Sequence, residues 1–226
     1  MGRRWVLRMG GIALAVLIIV TDAYAGNRQD LHYREHLGDK IRNRHFQVKP
    51  IAEGVAVMSL IDDSKHYLAH CDNTGNTYLW AVDKKSKRLR AERDGNKITI
   101  SGTSSGEPVH KQLNKDGLPW FQSLYYSLSC FVRSDRQSIE FWMIRPDNLS
   151  LVKLRAEKKA VETIRVNGKK EKAKKIRLGL TGLLSYVWHG YYWYRAQDGV
   201  LLQYKDMKSL PGRGKLTVRL CEAGEE

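Results

Sequence analysis

The chain has 226 residues, 42% hydrophobic and 28% charged, enough apolar material for one domain with a substantial core. Three widely spaced cysteines exclude a disulfide framework or a metal knuckle. A formal charge of +15 points to anionic surroundings and speaks to solubility and steering, not to fold.

The N-terminal segment, residues 1–25, reads as a cleavable signal peptide. Arg3, Arg4 and Arg8 flank an uncharged run from Met9 to Val20, and Ala23-Tyr24-Ala25 supplies the small residues a signal peptidase reads. That run is short of the roughly 20 apolar residues of a membrane span, and Gly26 stands where a lipoprotein would carry cysteine. The expected product is a single domain, residues 26–226, in the periplasm or secreted. Its charge is +13, because the leader holds three of the thirty-nine Lys and Arg and one of the twenty-four Asp and Glu. Outside the cytoplasm such a surface meets lipid headgroups and acidic wall polymers, and no nucleic-acid partner is expected. In an oxidising compartment Cys71, Cys130 and Cys221 allow at most one intramolecular disulfide and leave one thiol over.

From Asp30 onward, short alternating segments are separated by turn residues at intervals of roughly eight to twelve, the pattern of an antiparallel sheet. The alternation predicts strands over Leu31–Leu37, Asn43–Lys49, Gly54–Ile61, Lys65–Cys71, Thr77–Asp83, Arg88–Arg93 and Lys97–Gly102. Asp94-Gly95 fits a two-residue hairpin turn, and Asn73-Thr74-Gly75 a longer one. The polar stretch Ser101–Gly117 reads as a long loop. Leu118–Arg133 then breaks the pattern, because Phe121, Leu124, Tyr125, Leu128, Phe131 and Val132 recur at helical spacing behind Pro119. Further strands are predicted over Ser138–Arg145, Ser150–Glu157, Glu162–Val166, Lys172–Leu180, Ser185–Arg195, Val200–Asp206 and Lys215–Cys221, with Asn167-Gly168 as a type I′ turn. The fold expected is all-β: a large curved antiparallel meander or open barrel, with one amphipathic helix in its concavity.

Candidate chemistry is sparse. His66 and His70 would share a strand face about 13 Å apart, too far to hold one ion together, and His32 and His36 meet the same objection. No metal or cofactor is expected. No nucleophile elbow, zinc-protease or phosphate-loop motif occurs, and Glu140 with Glu162 is one carboxylate pair among many. More distinctive is the aromatic strand, with Tyr186, Trp188, Tyr192 and Tyr194 on one face and His189, Tyr191, Trp193 and Arg195 on the other, around Gly190. Its rings either line a cavity mouth or form the large-residue half of the core. Lys169, Lys170, Lys172, Lys174 and Lys175 form either a solvated hairpin or an anion-facing patch.

The succession Ile139-Glu140-Phe141-Trp142-Met143-Ile144-Arg145-Pro146-Asp147, then Glu162-Thr163-Ile164-Arg165-Val166-Asn167-Gly168-Lys169, then Trp188 through Asp198-Gly199-Val200-Leu201-Leu202, resembles secreted bacterial proteins of domain-of-unknown-function family 3108. That resemblance implies a curved sheet like that of the lipoprotein carriers LolA and LolB, which cradle acyl chains, and it carries over no catalytic residue.

The expected function is to bind or carry a hydrophobic or amphipathic anionic, lipid-like molecule, lined by Trp120, Phe121, Tyr125, Trp142, Trp188 and Trp193. Two alternatives stay open. One is a non-enzymatic protein docking an anionic envelope polymer, a membrane or a protein complex. The other is a glycan-acting enzyme, which needs two carboxylates about 5 to 9.5 Å apart. An apolar void of about 300 Å³ separates the first reading from the second.

Overall fold

Short turns set most of the register. In the computed structural model, which describes residues 28–62, 65–182, 188–207 and 215–221, hairpin partners close over two-residue loops at Leu37 with Lys40, Ile51 with Gly54, Lys84 with Lys87 and Val166 with Lys169. Asn167 and Gly168 both take positive φ, 48° and 74°, as a type I′ turn requires. At the other predicted dipeptide the turn lies one residue later: Asp94 still pairs with Lys97, and Gly95-Asn96 forms the loop. The predicted leader lies outside the described residues.

The strands are β1 (Gln29–Leu37), β2 (Lys40–Ile51), β3 (Gly54–Ile61), β4 (Lys65–Cys71), β5 (Thr77–Lys84), β6 (Lys87–Asp94), β7 (Lys97–Ser104) and β8 (Glu107–Asn114). Helix α1 (Leu124–Arg133) follows, then β9 (Ser138–Ile144), β10 (Leu151–Val166), β11 (Lys169–Leu180), β12 (His189–Arg195), β13 (Leu201–Asp206) and β14 (Leu216–Cys221). All fourteen join one curved antiparallel sheet in the order β8-β7-β6-β5-β4-β3-β2-β1-β14-β13-β12-β11-β10-β9. Two meanders are thus sewn together by one long-range pair, β1 with β14, and β8 and β9 remain as edges.

Three elements differ from expectation, each for a local reason. Ser101–Gly117 is a hairpin, because Ser105 and Gly106 supply positive φ and β8 pairs with β7 throughout. Only Val109, Lys111 and Leu113 of β8 are half-buried, and Pro108 is tolerated because this is an edge strand. The two segments within 150–166 are one strand, carried across a bulge between Lys158 and Ala160. Helix α1 begins at Leu124 because the chain before it is bound as a surrogate strand. Trp142 N donates to Pro119 O and Phe121 N to Trp142 O, both at 2.8 Å, while Trp120 O accepts from Thr77 N at 2.7 Å. Gln122 continues the pattern with its side chain, its Nε2 donating to Ile144 O at 3.0 Å and its Oε1 accepting from Ile144 N at 2.9 Å. The β9 edge is therefore covered, and this segment links it to the start of β5.

Helix α1 fills the concavity. Tyr125, Tyr126, Ser127, Leu128, Ser129, Phe131 and Val132 are all buried, far more than one amphipathic stripe. Ser127 Oγ donates to Gly75 O at 2.6 Å. A Cβ on Gly75 would lie 2.7 Å from Ser127 Cα, so only glycine lets this loop meet the helix. Lys174 Nζ donates to Val132 O at 3.2 Å and Lys158 Nζ donates to Ser134 O, placing two cations at the negative end of the helix. A second core, around Trp80, Leu89, Ile98, Ile100, Trp120 and Ile144, packs β5–β7 against the end of β9.

Asp116 organises the approach to this segment. Its Oδ1 accepts from Trp142 Nε1 at 2.7 Å and from Leu118 N at 3.0 Å, and its Oδ2 from Lys153 Nζ at 3.1 Å. These bonds, the Trp142 indole first, hold the carboxyl down at about 2, against an ordinary 3.8. A depressed carboxylate stabilises the fold above its unfolded value, and that contribution is lost as pH falls through about 2. Asp116→Asn should therefore flatten the acid limb, measured as the urea midpoint against pH. An unchanged slope between pH 4 and pH 2 would contradict the assignment.

Candidate functional site

The interior is divided by α1 into two hollows. At the helix N-terminus lies a cavity of about 300 Å³, walled by the inner faces of β1–β3 and β14 and by Tyr125, Met143, Tyr192 and Tyr204. At the C-terminal half of the helix a wider hollow of about 900 Å³, as open to solvent as the first, lies between the β2–β3 turn, residues 73–76 and the start of β9, with Phe121, Tyr126 and Phe131 on its wall.

The smaller cavity is mostly apolar and contains one buried ionic cluster. Its rings are interlocked: Phe46 stacks on Tyr125 at 4.8 Å, Tyr33 meets Phe46 edge-on at 5.5 Å, and Tyr192 lies 4.4 Å from Tyr204. Strand alternation puts Glu35 on the same face as Tyr33, and it is only 3% exposed. Arg44 Nη2 meets Glu35 Oε2 at 2.5 Å, and Arg42 Nη1 lies 3.9 Å from Oε1. One strand further, Ser59 is 7% exposed and directly opposite Phe46. Among the described residues, neither Ser59 Oγ nor Arg44 Nε has a hydrogen-bond partner, though both are buried. Ser123 and Leu124 bring the helix N-terminus to the same cavity, and no side chain among the described residues caps it. This end of the helix therefore adds positive potential to the Arg44 guanidinium.

Gly190 maintains the far wall. A Cβ there would stand 2.7 Å from the Tyr204 ring, so the glycine on the aromatic strand permits a close approach across β12 and β13. Tyr204 Oη donates to Asp206 Oδ1, which also accepts from Trp188 Nε1 at 3.2 Å.

The aromatic residues singled out from sequence do not share one site. Tyr125 lines the cavity and Phe121 the wider hollow. Trp120 is fully buried in the second core. Trp142 is half-buried under Lys153, whose Nζ lies 4.8 Å from its ring. Trp188 is half-buried beside Asp206, and Tyr186 lies outside the described residues. On β12, Tyr194 Oη donates to Leu124 O at 3.0 Å, so Tyr192 and Tyr194 face the helix, while Trp193 lies on the other face and is still buried. There Trp193 Nε1 donates to Glu162 Oε2 at 2.9 Å beneath Lys175 and Lys205.

Alternation splits the lysines too. Lys169, Lys170 and Lys172 are exposed, Lys174 points in to the helix end, and Lys175 pairs with Glu162 at 2.9 Å over Tyr191. Cys71 is a core residue, and burial pushes its thiol up to about 12, which removes it as a nucleophile near neutral pH. Glu35, Arg44 and Ser59 carry one signal in the sequence: Glu35 interrupts the apolar face of Leu31 and Tyr33.

No family model matches the sequence, and no curated protein matches it. The resemblance to domain-of-unknown-function family 3108 is therefore not sustained, and a similar solved structure belongs to a different family. The quoted segments are hairpin turns and alternating strands, which any long meander requires. That structure is a beta-barrel-like protein of the domain of unknown function DUF1849 from Brucella abortus. It is 10% identical at a TM-score of 0.58, over 86% of this chain and 95% of that one, a likeness of fold alone. The chain thus has a beta-barrel-like fold.

Proposed function

We propose that this is an exported protein that holds a hydrophobic or amphipathic anionic molecule in the cavity at the N-terminus of α1. One observation carries the reading: Ser59 Oγ and Arg44 Nε are buried on the wall of an apolar cavity with no partner among the described residues. Leaving a buried polar group unsatisfied costs about 1–3 kcal/mol, and a ligand acceptor atom at that depth would recover it. The guanidinium and the uncapped helix end favour negative charge on that atom. Phe46, Val57, Ile61, Tyr125 and Val218 surround the remaining volume, which suits an alkyl chain or ring at the lower limit of small-molecule pockets, about 300 Å³. Glu35 is the one carboxylate among these described lining residues, and glycan hydrolysis uses two.

Decanoate and decanol, titrated calorimetrically into delipidated protein, test this reading. Decanoate should bind with one-to-one stoichiometry and more tightly than decanol, and Ser59→Leu should weaken it at least tenfold at an unchanged melting temperature. Failure of both probes, together with a lipid-free extract by mass spectrometry, would overturn it.

The docking alternative has its own supporting observation. Residues 160–166 of β10 have no partner in β9 and residues 169–172 of β11 none in β12; this hairpin extends past both strands to lie beside β1 and β14, with Arg165, Lys170 and Lys172 exposed. Binding to anionic but not neutral vesicles by a protein that ignores decanoate would favour this peripheral role.

A further inference from the structure

We infer that the outer face of β1 and β2 carries a transition-metal site formed by Asp30, His32 and His45. The objection to histidines four apart along one strand does not apply across strands. His32 and His45 are directly opposed Cα partners, and their imidazoles stack face to face, with centroids 4.4 Å apart and planes within 10°.

Asp30 precedes His32 by two residues, so alternation puts it on the same face. Its Oδ1 lies 3.6 Å from His32 Nε2 and is hydrogen-bonded to His45 Nε2. The ligand atoms offered by these three side chains all lie within 4.8 Å of one another. Two imidazole nitrogens bound to one tetrahedral ion stand about 3.3 Å apart at bond lengths near 2.0 Å, so binding requires the two stacked rings to tilt out of parallel until both nitrogen lone pairs converge on the ion.

Further features of the site fit a bound ion. Gln47 Nε2 donates to Asp30 Oδ2 at 3.5 Å, and Arg28 Nη2 lies 3.9 Å from the same oxygen, which leaves Oδ1 for the ion. The three side chains are 44%, 46% and 23% exposed, so exchangeable ions reach the site. An adjoining hollow of about 210 Å³, bordered by Asp30 and His32 and, across it, by Lys169, Glu171, Arg195 and Cys221, leaves room for water on the Asp30 and His32 side of the ion. Two imidazoles and one carboxylate select zinc, cobalt, nickel or copper over magnesium or calcium, which prefer oxygen ligands.

The site is independent of the interior cavity, which opens on the opposite face of the same strands. Tag-free protein stripped with a chelator and titrated with cobalt should develop the visible absorption of a nitrogen-ligated ion at one equivalent, and zinc should displace it. His32→Gln and His45→Gln should each weaken zinc binding at least tenfold, and Asp30→Asn several-fold. All three positions are on the surface, so circular dichroism should match the parent. An unaltered cobalt spectrum, or zinc affinity equal in the parent and in the His32→Gln/His45→Gln double variant, would overturn the assignment.

Discussion

Trp120→Ala should lower the free energy of unfolding by about 3–5 kcal/mol, the range for truncating a large buried aromatic. Trp120 has no exposed surface and stands where the covered edge of β9 meets the second core. Its amide donates to Asn76 Oδ1 at 2.9 Å, its carbonyl accepts from Thr77 N, and its indole Nε1 donates to Gln122 Oε1 at 2.9 Å. The backbone bonds survive truncation, so the loss falls on packing: Ile98, Ile100 and Ile144 face a cavity the size of an indole. The damage should be regional. Hydrogen exchange should accelerate first in β6–β8 and at Ile144, while α1 keeps its protection through its own contacts with Gly75 and Tyr194. Trp142→Ala, at a half-buried position, should cost less than half as much by urea denaturation. Uniform loss of protection around the sheet would show that Trp120 is an ordinary core residue and not the joint between the two cores.

Much of this fold could be read from period-two alternation, because a half-buried strand writes its two faces into the residue order. Gly54–Ile61 was legible to the residue, since every second side chain is buried. The stretch Glu107–Asn114 was not, because an edge strand buries so little that Val109 and Leu113 are its main apolar signal. The start of α1 was hidden for a different reason. Leu118 to Ser123 has helical spacing, but hydrogen bonds to Thr77 and Trp142, distant in sequence, outweigh local propensity. The candidate site was harder still. The helical stripe pointed to Tyr125, whereas Trp142 and Trp193 gave size without direction, and only the pairing of the sheet reveals which face looks inward. His32 and His45 meet through the register of β1 with β2, which the Gly38-Asp39 turn sets and spacing along one strand does not contain.

Glu35→Ala should destabilise the protein by about 3–5 kcal/mol, because it strands the guanidiniums of Arg44 and Arg42 beside each other against an apolar wall. Arg44→Met should cost a similar amount, through the carboxylate of Glu35 that is left 3% exposed. The double variant Glu35→Leu/Arg44→Met should be more stable than either single variant and close to the parent in urea denaturation, since well-packed apolar residues commonly replace a buried ion pair without loss. Stability alone therefore gives little reason to keep two charges inside this cavity. Recognition gives a better one, because Arg44 lines the ligand space with an Nε–H that has no partner among the described residues, while Glu35 holds its Nη2 in place. The same double variant should consequently keep its melting temperature and lose its preference for decanoate over decanol. If it binds both probes as the parent does, the pair has no part in selecting the charge of the ligand.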